Sequence, residues 1–131
     1  MLRRLKAAEG FTLLEVMITT VILAVGLLGL AGLQIVAIKG NSFGQQMSVA
    51  STLAQNQLEQ LRRISYDSLS DGSSDGFDTY IDQANGVSYS RQWAAVTDVS
   101  HPDWLTLNVT VSWTGSTDNR SITVATIVSN S

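Results

Sequence analysis

The chain has 131 residues, 44% of them hydrophobic, and a formal net charge of −3. That length holds one modest folded domain beside a membrane segment, and an acidic balance with only Lys39, Arg62, Arg63, Arg91 and Arg120 beyond Ile38 argues against a nucleic-acid surface, which needs clustered Lys and Arg. With no cysteine there is neither a disulfide framework nor a thiolate metal site, and a single histidine, His101, makes no histidine metal cluster.

A basic cluster, Arg3, Arg4 and Lys6, is followed from Phe11 to Ile38 by 28 residues whose only charge is Glu15. As a helix this run extends roughly 42 Å, more than the ~30 Å hydrocarbon core of a bilayer requires. Basic residues ahead of the span keep the N-terminus cytoplasmic and send everything after Lys39 outward. A cleavable secretory signal peptide has the same order of parts, but its apolar region is much shorter. It also has no use for a carboxylate, which near the bilayer centre costs about 2.5–3.5 kcal/mol. An ordinary signal anchor would carry Glu15 only incidentally, whereas an ionisable residue retained in such a segment calls for a partner.

The segment Gly10-Phe11-Thr12-Leu13-Leu14-Glu15-Val16 resembles the prepilin peptidase site of type IV pilins and type II secretion pseudopilins. The likeness lies in a short basic leader, Gly before the cut, Phe after it and Glu four residues beyond Phe. It implies removal of a leader, 1–10, by prepilin peptidase between Gly10 and Phe11, with N-methylation of the new Phe11 terminus. It also implies that Glu15 meets the terminal amine of a neighbouring subunit. Physical chemistry accords with that role, because a cation beside Glu15 offsets burial among apolar helices that would otherwise disfavour the carboxylate. Loss of the leader takes Arg3, Arg4, Lys6 and Glu9 with it and leaves a net charge of about −5. Glu9 departs from the family, which more often has a basic or small residue there.

Gly26, Gly29 and Gly32 follow at spacings of three, and small residues let membrane helices approach closely. No proline interrupts this run, and in that respect the chain resembles the PilV group of minor type IV pilins more than major pilins. From 39 to 64, Met47, Ala50, Leu53, Ala54, Leu58, Leu61 and Ile64 recur at steps of three and four, with Gln45, Gln55, Glu59 and Arg62 between them. This predicts an amphipathic helix continuous with the membrane segment of 11–38; the heptad span is too short to favour a coiled-coil spacer.

Residues 65–86 are acidic and glycine-bearing and predict a loop joining helix to sheet. Within it Asp71, Ser73, Asp75, Phe77, Thr79 and Asp82 fall at positions 1, 3, 5, 7, 9 and 12 of an EF-hand-like calcium loop, with Gly76 at position 6. Position 12 is Asp where a bidentate Glu is usual and no second helix clearly follows, so a solvated acidic loop is the simpler expectation, with no cofactor.

The remainder, 87–131, predicts an antiparallel meander. Val87, Tyr89, Arg91 and Trp93 alternate with polar residues; Leu105, Leu107, Val109, Val111 and Trp113 do so more cleanly; Ile122, Val124 and Val128 share a face after a turn over Thr114–Asn119. The expected fold is α+β and pilin-like. A long N-terminal helix, transmembrane in its first half, would pack its second half on an antiparallel sheet of three or more strands. The pairs Thr110-Val111-Ser112-Trp113 and Arg120-Ser121-Ile122-Thr123 are again similar to closing strands of the PilV group. Without cysteines the head lacks the disulfide-bounded loop of many major pilins.

Other chemistry carries less. His101 with Asp98 or Asp103 and a serine lacks any nucleophile elbow; Trp93, Trp104 and Trp113 could suggest sugar or base stacking, but two of them sit on alternating strand faces, where packing is the better reading; and the sequons at Asn108 and Asn119 fall in a chain crowded with Ser and Thr. The reading is a non-enzymatic minor type IV pilin taking part in pilus assembly. It would sit in the bacterial inner membrane with a periplasmic head, then join a pilus. Its partners by resemblance are major and minor pilins, prepilin peptidase, the inner-membrane assembly platform and inner-membrane lipid. The alternatives are a minor pseudopilin of a type II secretion system and a membrane-anchored binding domain, calcium dependent if the acidic loop binds an ion.

Overall fold

The computed structural model describes residues 10–115 and 118–130, and it divides at Asn41/Ser42 into two compact units. The leader residues Arg3, Arg4, Lys6 and Glu9, like Ser116, Thr117 and Ser131, lie outside the described residues. One helix, α1 (Leu13–Leu61, 49 residues), contributes to both units.

In the first unit, every side chain from Phe11 to Asn41 is exposed, apolar ones included, and the helix is long and apolar enough to cross a membrane. The few hydroxyls within it are tied to their own backbone: Thr19 Oγ1 donates to the Glu15 carbonyl and Thr20 Oγ1 to the Val16 carbonyl, each at 2.7 Å. Polar groups satisfied within the segment are what a hydrocarbon surrounding requires.

In the second unit, residues 42–61 of α1 pack on a four-stranded antiparallel sheet. Its strands are β1 (Gly76–Ile81), β2 (Ser88–Thr97), β3 (Trp104–Thr114) and β4 (Asn119–Ser129), in the order β1-β2-β3-β4. β3 supplies the floor of the core: Leu105, Leu107, Val109 and Val111 are wholly buried and Trp113 is 3% exposed. Above it Ala50 and Ala54, one turn apart and both wholly buried, let the helix backbone come close to the sheet, with Leu61 closing the row. Ile122, Val124 and Val128 of β4 join from the margin.

Two expectations are corrected, and two buried glutamines join the core beside the predicted stripe. These are Gln46 and Gln57, which the apolar periodicity does not include. Gln46 Oε1 accepts the Trp113 indole N–H at 3.1 Å, so that a large aromatic enters the core with its one donor satisfied. Ile64 does not continue the stripe: α1 ends at Leu61 in tightened turns, Arg63 N–H to Gln60 O and Ile64 N–H to Leu61 O, and Ile64 is exposed. The stretch 65–86 is more than a loop. It holds a short helix α2 (Tyr66–Ser70), anchored by the buried Leu69, and the edge strand β1, which makes four strands where three were drawn from alternation.

Candidate processing and assembly site

Gly10, Phe11 and Thr12 precede the helix, and Phe11 is 82% exposed, so the Gly10–Phe11 peptide bond lies in accessible, non-helical chain. The helix begins two residues after the expected Phe11 because Thr12 caps it. The Thr12 hydroxyl accepts the Glu15 N–H at 3.1 Å, and the Thr12 carbonyl accepts the Val16 N–H at 3.2 Å, the first intrahelical bond. Thr12 and Glu15 therefore stand at the N-cap and third helical positions, the spacing of a capping box. Glu15 is the acidic residue of the first turn, where the positive end of the helix dipole favours an anion. The cap was legible as Thr-x-x-Glu before an apolar run, and the sequence reading assigned Glu15 only an intermolecular role.

Among the described residues nothing demands Gly10: a Cβ built there meets none of their atoms within 4 Å, and its backbone is not left-handed. The same holds at Gly26, Gly29 and Gly32. All four glycines face open space.

The calcium candidates are not gathered into one loop. Phe77 and Thr79 lie in β1, paired with Gln92 and Ser90 of β2. Asp71 Oδ1 accepts the Ser73 N–H at 2.8 Å, and hydrogen bonds from Ser73 hold the Asp71 carboxyl below its ordinary value. Asp75 Oδ1 accepts the Ala95 N–H at 2.9 Å, and the buried Asp82 accepts the Ala84 N–H at 3.0 Å. Among the described residues no group of three or more His, Cys, Asp or Glu is arranged to hold a metal ion.

His101 stacks on Trp104, ring centroids 4.3 Å apart, while Asp98 Oδ1 accepts the backbone N–H groups of Ser100 and His101. These contacts shape the β2–β3 connection. Of the two tryptophans on alternating strand faces, Trp113 is buried and Trp93 half-buried with its indole N–H on the Ser74 carbonyl, while Trp104 is 41% exposed.

Residues 5–31 match a family model described as the prokaryotic N-terminal methylation motif, about one fifth of the chain. No curated protein and no solved structure matches the chain. The matched segment contains the Gly10–Phe11 bond, the Thr12–Glu15 cap and about the first five turns of the apolar helix, and it supports a prepilin of the pilin or pseudopilin type.

Proposed function

We propose that this chain is a minor type IV pilin. It is inserted in the inner membrane with its head outside, cut between Gly10 and Phe11 by prepilin peptidase and methylated on Phe11. It is then drawn through its N-terminal helix into a filament or the complex that primes one. The observation that carries the reading is the methylation motif set on a capped helix that is apolar and exposed from Leu13 to Asn41 and whose first turn presents Glu15. An exposed scissile bond suits a peptidase, and an all-round apolar helix suits first a membrane and then a bundle of like helices. No contact among the described residues requires glycine at 10, 26, 29 or 32; close approach of the peptidase at the first and of neighbouring helices at the others accounts for them.

Burial of Glu15 in such a bundle would be costly alone and is offset by the methylated amine of an adjacent subunit's Phe11. The work of the chain is interaction rather than catalysis. Within the class we favour the PilV group, on the proline-free run from Phe11 to Gln34 and the closing strands β3 and β4.

Sheared filaments from the native cells test this: they should contain the chain at a low ratio to their main subunit, and Gly10→Leu should leave the leader attached and the chain absent from filaments. A chain missing from filaments but needed for protein secretion would be the pseudopilin alternative, which uses the same site and stalk.

A further inference from the structure

The β1–β2 connection runs from Asp82 to Val87, between the paired residues Ile81 and Ser88. The Asp82 N–H donates to the Val87 carbonyl at 3.0 Å and closes the strand pair. Inside that bond the chain reverses with Gly86 in the left-handed region, at φ 70°, a conformation that favours glycine. The residue ahead of it is Asn85, whose side chain stands in for backbone in the turn: the Val87 N–H donates to Asn85 Oδ1 at 2.9 Å. Turn chemistry thus sets an asparagine directly before a glycine, and Asn85 is the only asparagine of the chain that precedes one.

That pair is chemically reactive. Glycine has no side chain to hinder its own amide nitrogen, so Gly86 N can attack Cγ of the Asn85 carboxamide. The amide proton goes to solvent hydroxide, a Gly86 N–Cγ bond forms, the Cγ–Nδ2 bond breaks, and the released nitrogen takes a proton from water and leaves as ammonia. Water then opens the cyclic imide at either carbonyl and yields aspartate or isoaspartate.

The folded turn holds both reacting groups. The Gly86 N–H that must be removed donates to the Asp82 carbonyl at 2.7 Å, and the Asn85 carboxamide is held by its oxygen. Asp82 is itself fixed, buried and with Oδ1 accepting the Ala84 N–H at 3.0 Å. From Gln83 to Gly86 the turn is exposed, so these hydrogen bonds rather than packing keep it shut.

We propose that Asn85 is a spontaneous deamidation site guarded by the β1–β2 turn, converting only when that turn opens. Conversion is irreversible and undoes what guarded it. It adds a carboxylate close to the buried Asp82, and the isoaspartate product adds a carbon to the main chain where Ile81 and Ser88 stand in register. The hairpin then loosens, and with it the hold of Asp78 on Arg91. The head therefore carries a chemical record of how often this turn has opened. Conversion at Asn85 concerns the head alone and depends neither on cleavage at Gly10–Phe11 nor on entry into a filament.

Full chain in detergent micelles is incubated at neutral pH and physiological temperature, beside a synthetic peptide of the 81–88 sequence in the same buffer and the full chain unfolded in urea. Peptide mass spectra and an isoaspartate-specific methyl-transfer assay read conversion at Asn85. The peptide and the unfolded chain should convert readily, and the folded chain roughly tenfold more slowly than the peptide or slower still. Asp82→Ala removes the Ala84 bond that sets the turn, so it should speed conversion whether or not the head keeps its thermal transition. A folded chain that converts as fast as the peptide, or an Asp82→Ala chain that converts at the parental rate, would overturn the guarding role. An unfolded chain that leaves Asn85 intact would overturn the site itself.

Discussion

The amide nitrogen of Glu15 lies 3.1 Å from the hydroxyl oxygen of Thr12, so the backbone of Glu15 serves the helix cap while its carboxylate stands at the exposed mouth of the same helix. The two halves of the residue have separable duties. Thr12→Val should remove the cap, at about 1 kcal/mol, and lower the hydrogen-exchange protection of the Glu15 amide in micelles roughly fivefold. Glu15→Ala keeps the hydroxyl-to-amide bond and should leave that protection nearly unchanged. The Ala variant should still lose its leader yet fail to enter filaments; normal assembly of Glu15→Ala would exclude the charge-pair role.

Arg91 ties three elements together. Its Nε donates to Asp78 Oδ1 at 2.9 Å, its Nη2 to Asp78 Oδ2, and its Nη1 to the Leu53 carbonyl of α1 at 3.1 Å. The guanidinium is largely buried and Asp78 is less so, which makes the helix contact and the planar fork more valuable than the charge alone. Arg91→Ala should cost about 2 kcal/mol, and Arg91→Lys about half of that. A thermal unfolding series should show Arg91→Ala and Asp78→Ala lowering stability by less in combination than the sum of the single changes.

Gly76 opens β1 directly under Trp93. A Cβ there would come within 2.6 Å of Trp93 Cζ2 and 2.8 Å of Cε2, and the ring cannot withdraw without giving up its bond to the Ser74 carbonyl. Gly76→Ala should therefore destabilise the head by about 1–3 kcal/mol, read from urea unfolding, with a shift in tryptophan emission as the ring is displaced.

The acidic stretch should be silent toward calcium. With Phe77 and Thr79 held in a paired strand and Asp71, Asp75 and Asp82 engaged by backbone amides, calorimetric titration of the full chain to millimolar calcium should give no binding heat. A saturable exotherm abolished by Asp75→Asn would show that β1 rearranges around an ion.

What could be read ahead of the structure was what local periodicity encodes. The apolar run from Phe11, the Ala50–Ala54 face and the alternation of Leu105 to Trp113 each repeat at a fixed step, and each forms the element expected of it. β1 escaped because its reasons are remote in sequence. Asp78 faces Arg91, thirteen residues on, and Gly76 sits under Trp93, so a segment that is acidic and glycine-bearing on its own becomes a strand only beside β2. Gln46 escaped likewise, since a glutamine on a helix counts as a polar face until the Trp113 indole is brought to it. At the candidate processing site the Thr12–Glu15 cap is written in the sequence as Thr-x-x-Glu ahead of an apolar run, a purely local signal.

Intact-mass and N-terminal fragment spectra of the chain isolated from its native cells test the central claim most directly. We expect a polypeptide beginning at Phe11 and carrying one added methyl group on its terminal amine. A chain that still begins at Met1, as a simple membrane-anchored binding domain would, or a soluble head cut free of α1's apolar half, would contradict it.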